Sequence, residues 1–488
     1  MKKFFTIVFF FLSLSMFANV LPADIYKNLP FEMNPLKEIK FRDYQVNVLE
    51  YGAVPDGETN VAPMINKAID EVHQSGGGKV IIPQGLWLSG PIVLKSNVCL
   101  HLERGALLVF STDKSLYPLR FTSFEGLNTR RCQSPISAEG ATNIGITGQG
   151  IIDGKGDVWR PLKKNKLTNK QWKKLIKSGG VVSEDGKIWY PSSAYAEASK
   201  RVVDQNIPNF TDEKEWEKFR DFLRPVMLSF IKCDGVLLQG PTFQNSPAWC
   251  IHPLMCTNFQ MIDCVVRNPW YGSNGDGLDL ESCKGAVVYR CSFDVGDDAI
   301  CIKSGKDEDG RRRAMPCEQA IIRECTVYHG HGGFVVGSEM SGGVKDMLVK
   351  DCTFIGTDVG LRFKSKKGRG GVVERITIDG IRMMDIEGEP ILFNLYYQGK
   401  SALAATAGGN ATDNLLSEEN QFLPEFKDIS ISNVFCRGGR KGIYINGLPE
   451  KPIHHISLKN IKIFSSFPAE YHYVENLTTE NVEVIVEK

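Results

Sequence analysis

A short phrase recurs along this chain, and its spacing restricts the fold more than any other feature. "MIDCVV", "VYRCSF", "IRECTV" and "VKDCTF" put Cys264, Cys291, Cys325 and Cys352 at steps of 27, 34 and 27 residues, and "SNVFC" closes a similar phrase at Cys436. Phrases of the same build, such as "GVLLQGPTFQN", "RITIDGIRMMD" and "HISLKNIKIF", extend the series in both directions. Each is a short run of Ile/Val/Leu-rich alternation followed by Gly, Asn or Asp. A unit of about 20 to 35 residues with short strands buries its apolar face only by stacking on its neighbours, which makes a solenoid. No helix-period pattern lies between the strands, which argues against alternating βαβ winding. The expectation is an all-β chain wound as a parallel β-helix, a single-stranded solenoid with coils about 4.8 Å apart.

Two stretches depart from the repeat. "APMINKAIDEVHQSGGG" sets Ala62, Ile65, Ala68, Ile69 and Val72 on one helical face, predicting a helix that caps the open end of the core. Residues 157–222, rich in Lys, Trp and Glu, read as a loop-and-helix insertion, and such insertions gather on the functional face. The small, polar stretch 401–414 reads as a flexible excursion.

At the N-terminus, Lys2 and Lys3 precede an apolar run at 4–17, a signal-peptide pattern with cleavage after Ala18. Residues 19–488 are then expected to form a single β-helix domain, exported to the periplasm or beyond and monomeric. Membrane insertion is not expected, since no other stretch is long and apolar enough to span a bilayer. A net charge of +1 excludes the global basic field of a nucleic-acid binder, so an anionic ligand must be held locally. Thirteen cysteines in an exported chain raise the question of disulfides. Their position at the ends of strand phrases suits buried thiols stacked in register better. Without CxxC or HxxxH spacing, a metal centre is disfavoured.

A solenoid turns linear spacing into proximity. Asp276 and Asp297 are 21 residues apart, about one coil. Asp298 to His331 is 33 residues, with the polar loop Lys306–Pro316 free to bulge, and His331 to Arg362 is another 31. Arg362 and Lys364, two apart, point the same way on a strand. Four successive coils would present a carboxylate, a carboxylate pair, an imidazole and a cation pair. That column suits cleavage of an acidic glycan. A protonated carboxyl donates to the leaving oxygen, while an ionised one activates water or attacks the anomeric carbon. Crowding raises at least one carboxyl pKa and keeps that acid protonated. Cations beside the acids suit a uronic acid, whose carboxylate an arginine can grip with two parallel bonds.

At these residues the chain resembles the polygalacturonases of glycoside hydrolase family 28. The family's ordered motifs are matched by Asn274-Gly275-Asp276, Gly296-Asp297-Asp298, Gly330-His331-Gly332 and Arg362-Phe363-Lys364, with Gly275 where threonine is frequent. "EYGAVPDG" and "NSPAWCIHP" are similar too, so the resemblance runs from about Val46 to Val484. It implies a right-handed parallel β-helix and hydrolysis of α-1,4-galacturonide bonds in pectic polysaccharide with inversion, without metal or other cofactor. Carried over, Asp297 is the general acid, and Asp276 and Asp298 hold and deprotonate water. His331 supports the acid's protonation. Arg362 and Lys364 hold a substrate carboxylate, and Asn274, counted with them as substrate-binding, orients the neighbouring aspartate. His252, Lys303 and Tyr396 or Tyr397 are further candidates for substrate contact. Asp279 fits either the site or a structural role in its turn.

The insertion, with Trp159, Trp172, Trp189 and Trp216, is expected to wall off one end of a cleft. Arg311, Arg312 and Arg313 are expected to add positive charge where a polyanion enters. Exo action is therefore expected over endo action. A rhamnogalacturonan or xylogalacturonan hydrolase would share these motifs. A pectate lyase would need a calcium site and an arginine base, and a non-catalytic polysaccharide binder has no use for three carboxylates and a histidine.

Overall fold

Three short parallel strands joined by tight bends make up each central coil. In one coil they are Leu278–Glu281, Lys284–Tyr289 and Ser292–Asp294, and the next coil starts with Asp298–Lys303. The computed structural model describes residues 21–397 and 421–487; the expected signal peptide and the excursion at 401–414 lie outside the described residues. First strands of successive coils form an eleven-stranded parallel sheet from Ile92–Val93 to Glu470–His472. The other coil strands join a 22-stranded sheet along the remaining sides, and the winding is right-handed.

Register holds the core together. Leu278, Ile300, Phe334, Leu361, Ile391 and Ile443 stack on one another and none is exposed. Each such side chain contributes about 1.5–3 kcal/mol by leaving water. Cys264, Cys291, Cys325 and Cys352 stack in the same way. A second ladder, Cys233, Cys256, Cys283 and Cys317, runs along another bend. All thirteen cysteines are buried free thiols. Cys436 departs from the ladder: it lies against Met383 and Ile463, while Val434 follows Ile381 in the stack. The residue before each of the first four thiols is left-handed: Asp263, Arg290, Glu324 and Asp351. That conformation turns the chain between strands, and Gly380 (φ +73°) meets the same requirement one coil on.

The capping helix spans Ala62–Gln74 and buries Ala62, Ile65, Ala68, Ile69 and Val72. Between Asp153 and Leu228 the chain leaves the coils for helices Asn169–Lys177, Ser193–Ala198 and Glu213–Lys218 and short antiparallel strands. Its tryptophans do not wall a cleft. Trp159 packs with Tyr195, Phe219 and Phe222 and with Trp216 at the edge, and Trp172 and Trp189 pack with Leu162. They form the projecting segment's own small cores. An antiparallel hairpin, Leu119–Phe124 with Leu127–Cys132, projects beside it. The expected polar loop after Lys306 is a short helix, Asp307–Arg313, acidic in its first turn and basic in its last, as the helix dipole favours.

Candidate active site

The outward face of the eleven-stranded sheet carries most of the candidate site residues. Strand Leu278–Glu281 lies on Asp298–Lys303 with Leu278 opposite Ile300, bringing Asp276 beside Asp297 and Asp298. One oxygen from each of the three carboxyls lies within 4.8 Å of the others. They border a cavity of about 440 Å³ together with Asn274, His331 and Lys364. These oxygens are close enough for a divalent cation, but Asp298 already has two protein cations. Lys364 Nζ is 2.6 Å from its Oδ2 and Arg362 Nη1 is 3.3 Å from its Oδ1. The expected substrate cations are therefore partly committed to Asp298.

Environment separates the acids. Burial, then the charges of Asp279, Asp297 and Asp298, push the Asp276 carboxyl well above the ordinary carboxylate range. Burial alone would also raise Asp298, but Lys364, Arg362 and Lys303 outweigh it and hold this carboxyl well below that range. Asp297 is the most open of the three and, among the described residues, accepts hydrogen bonds from the main-chain N–H groups of Asn274 (3.2 Å) and Asp298 (3.1 Å). Asn274 thus orients Asp297 through its backbone. Its own amide is fixed by Arg224 Nη2 (2.6 Å), Asn206 Nδ2 (3.3 Å) and Glu125 Oε1 (3.3 Å).

His331 hydrogen-bonds Asp358 through Nδ1. That contact raises the imidazole above its ordinary pKa despite partial burial, and Asp297 and Asp298 add to the rise. Asp358 is correspondingly lowered, chiefly by His331. Asp358 did not figure among the expected residues, although it lies 27 residues after His331, a step already seen between cysteines. Glu125, Asn206, Lys163 and Lys166 also border the cavity, from segments that no period in the sequence connects to it, whereas Trp270 and Tyr271, which border it too, lie 27 residues before Asp297 and Asp298.

Three expectations need correction. His252 does not reach the cavity. It is 1% exposed and its Nε2 meets Glu281 Oε2 at 2.7 Å, while Arg313 Nη1 holds the other Glu281 oxygen at 2.6 Å. Burial would raise Glu281, but His252 and Arg313 bring it down to about 2. Tyr397, rather than Tyr396, borders the cavity, with Lys364 Nζ 5.0 Å from its ring centre; Tyr396 packs against the core. The arginine run is not a free basic patch. Arg313 serves Glu281, Arg312 pairs with Asp309, and Arg311 donates to the Gly368 carbonyl. Lys303 does border the cavity, on its floor, 2.8 Å from Glu339 and 3.6 Å from Asp279. Asp279 lies on the strand rather than in a turn, fully buried and raised by burial against the pull of Lys303.

Residues 178–482 match the family model for Glycosyl hydrolases family 28. The chain belongs to this family. Residues 45–101 match a second model, Rhamnogalacturonase A/epimerase, pectate lyase-like. The solved structure of an exopolygalacturonase from Thermotoga maritima is 30% identical to this family 28 chain, with a TM-score of 0.74, covering 92% of this chain and 94% of that one. A probable polygalacturonase of Vitis vinifera is 25% identical over 87% of this chain and 75% of its own length. An exo-poly-alpha-D-galacturonosidase of Dickeya chrysanthemi is 27% identical over 84% of this chain, which spans 65% of that protein. As a family 28 member, the chain is a glycosidase.

Proposed function

We propose that this family 28 glycosidase, which degrades pectic galacturonan, cleaves α-1,4-galacturonide bonds with inversion and works from a chain end. The chain-end reading is supported by contacts between two projections that both border the cavity. Asn206 of the projecting segment donates from Nδ2 to Glu125 Oε1 (2.6 Å) at the tip of the hairpin, and its carbonyl accepts from Arg131 Nη1 (3.0 Å). Lys306 and Asp204 pair nearby. A polymer threading through a cleft needs both ends open, and these contacts join two projections where it would pass. Two of the relatives above carry exo-acting names.

In this reading Asp297, the most open carboxyl, protonates the leaving oxygen. Asp298, held ionised, takes a proton from a water that it holds with Asp276. His331, whose proton Asp358 stabilises, supplies protons beside Asp297. Arg362 gives one N–H to Asp298 and has others for a uronate carboxylate. Carboxyl spacing within 4.8 Å would by itself also fit direct attack by a carboxylate. Inversion is favoured by two carboxyls beside Asp297 that can share one water, and by the family motifs. The reading keeps the chain a single β-helix domain, exported by its N-terminal segment to where the polymer is met.

Time-resolved chromatography of a polygalacturonate digest, with NMR of the first-formed anomer, tests this. Monomer or very short products from the start, released as the β-anomer, are expected. An early ladder of mid-length oligomers would overturn the chain-end reading, the α-anomer would overturn inversion, and unsaturated uronides would overturn hydrolysis.

A further inference from the structure

The cations on the cavity floor are spoken for: Lys364 by Asp298 and Lys303 by Glu339. Two lysines on the cavity wall are not. Lys163 and Lys166 come from the projecting segment, and neither makes an ion pair within 4 Å among the described residues. Lys166 is near enough to help lower Asp358, but that carboxylate is bonded to His331. The turn that carries the lysines is held firmly. Leu162 and Leu167 pack with Trp172 and Trp189 on either side of it. Strand Leu162–Lys163 pairs with Ile188–Trp189, and the following helix opens with a Thr168/Gln171 capping box. Such anchoring keeps two like charges over one cavity without an acidic partner.

Beside them stands Trp270, 53% exposed although it borders the cavity, with Lys166 Nζ 5.6 Å from its ring centre. Tyr271 meets it edge-on at 5.8 Å and is itself packed against the Leu162 cluster, which steadies the indole. A bare indole face in a polar, cation-lined cavity is suited to a ligand with one apolar face and one negative group.

We propose that Trp270 and Lys166, with Lys163 beside them, clamp one uronate of the substrate, its C–H face on the indole and its carboxylate on the lysines. The clamp rests on the galacturonan reading above and adds an acidic-sugar subsite supplied by the projecting segment. It recognises a carboxylate that Arg362 and Lys364 do not hold.

The test uses the full chain and trigalacturonate, either as the free acid or with each carboxylate methyl-esterified in turn. Lys166→Gln should raise KM about ten-fold on the free acid, as expected for losing one charge-assisted hydrogen bond. It should have no effect on the one ester that already lacks the clamped carboxylate. Trp270→Ala should raise KM on every form, and Trp270→Phe should recover most of the loss. A Lys166→Gln penalty that is absent, or equal on all four substrates, would overturn the clamp. A wild-type chain inactive on trigalacturonate would instead overturn the galacturonan reading.

Discussion

Replacing Lys364 with methionine tests whether Asp298 is held ionised by the floor of the site. Lys364 Nζ lies 2.6 Å from Asp298 Oδ2, and the two side chains are 7% and 2% exposed. Methionine keeps the apolar stem but leaves the carboxylate paired with Arg362 alone, at 3.3 Å, with Lys303 acting from farther away. Breaking a buried pair costs about 3–5 kcal/mol because the surviving charge is stranded. With Arg362 still present, a loss of about 3 kcal/mol is expected at pH 7. Its pH dependence has a definite sign. Burial raises Asp298 but its cations depress it further, so its folded pKa lies below that of unfolded aspartate, about 3.9. Its stabilisation is complete above that unfolded value and is lost as pH falls through the folded one. Lys364 is raised, by Asp298 against burial, so its share stays constant until pH nears the unfolded lysine value of about 10.4. The gap between wild type and variant should therefore be flat from about pH 5 to 8 and narrow on acidification. Urea unfolding followed by tryptophan fluorescence at pH 7 and pH 3 measures it. A gap under about 1 kcal/mol at pH 7, the size of an exposed pair, or one unchanged at pH 3, would refute the reasoning.

Asp297→Asn should lower turnover of trigalacturonate about 10²–10⁴-fold with little change in KM. Initial rates within ten-fold of wild type would move the acid to Asp276, whose pKa is raised. Asp358→Asn removes the contact that raises His331. The imidazole then loses its proton at lower pH, so the alkaline limb of kcat/KM should shift downward; an unmoved limb would separate His331's charge from catalysis. His252→Ala should cost about 1–3 kcal/mol in urea unfolding by removing the hydrogen bond to buried Glu281. KM should not change, since His252 does not border the cavity; a raised KM would return His252 to the site.

The coil period carried the sequence reading as far as it went, because in a β-helix separation along the chain becomes position across the sheet. The 27-residue step from Cys325 to Cys352 also leads from His331 to Asp358, so the same arithmetic reaches the residue that tunes the imidazole. No period leads to Glu125, which is 149 residues from the Asn274 it touches, or to Asn206, 68 residues away. They arrive on a hairpin and an insertion whose paths are set by their own packing. That packing also explains the misplaced tryptophans. A 66-residue insertion must first fill its own core, and Trp159, Trp172 and Trp189 do so. The exposed indole, Trp270, comes instead from a bend within the coils.

His252 shows what periodicity leaves open. It stands level with Asp279, on the outward face one coil before it, so alternation alone places both at the site. Trp249 and Arg313 decide otherwise: the indole meets the imidazole edge-on at 5.1 Å, and the guanidinium completes the pair on Glu281. Charge follows the same logic. Three carboxyls in contact require neutralising cations from the same coils, and Arg362 and Lys364 supply them to Asp298. Cations needed to keep Asp298 ionised cannot all be spared for a polyanionic substrate. The remaining positive charge at the cavity has to come from outside the coils, and Lys163 and Lys166 stand there without ion-pair partners among the described residues.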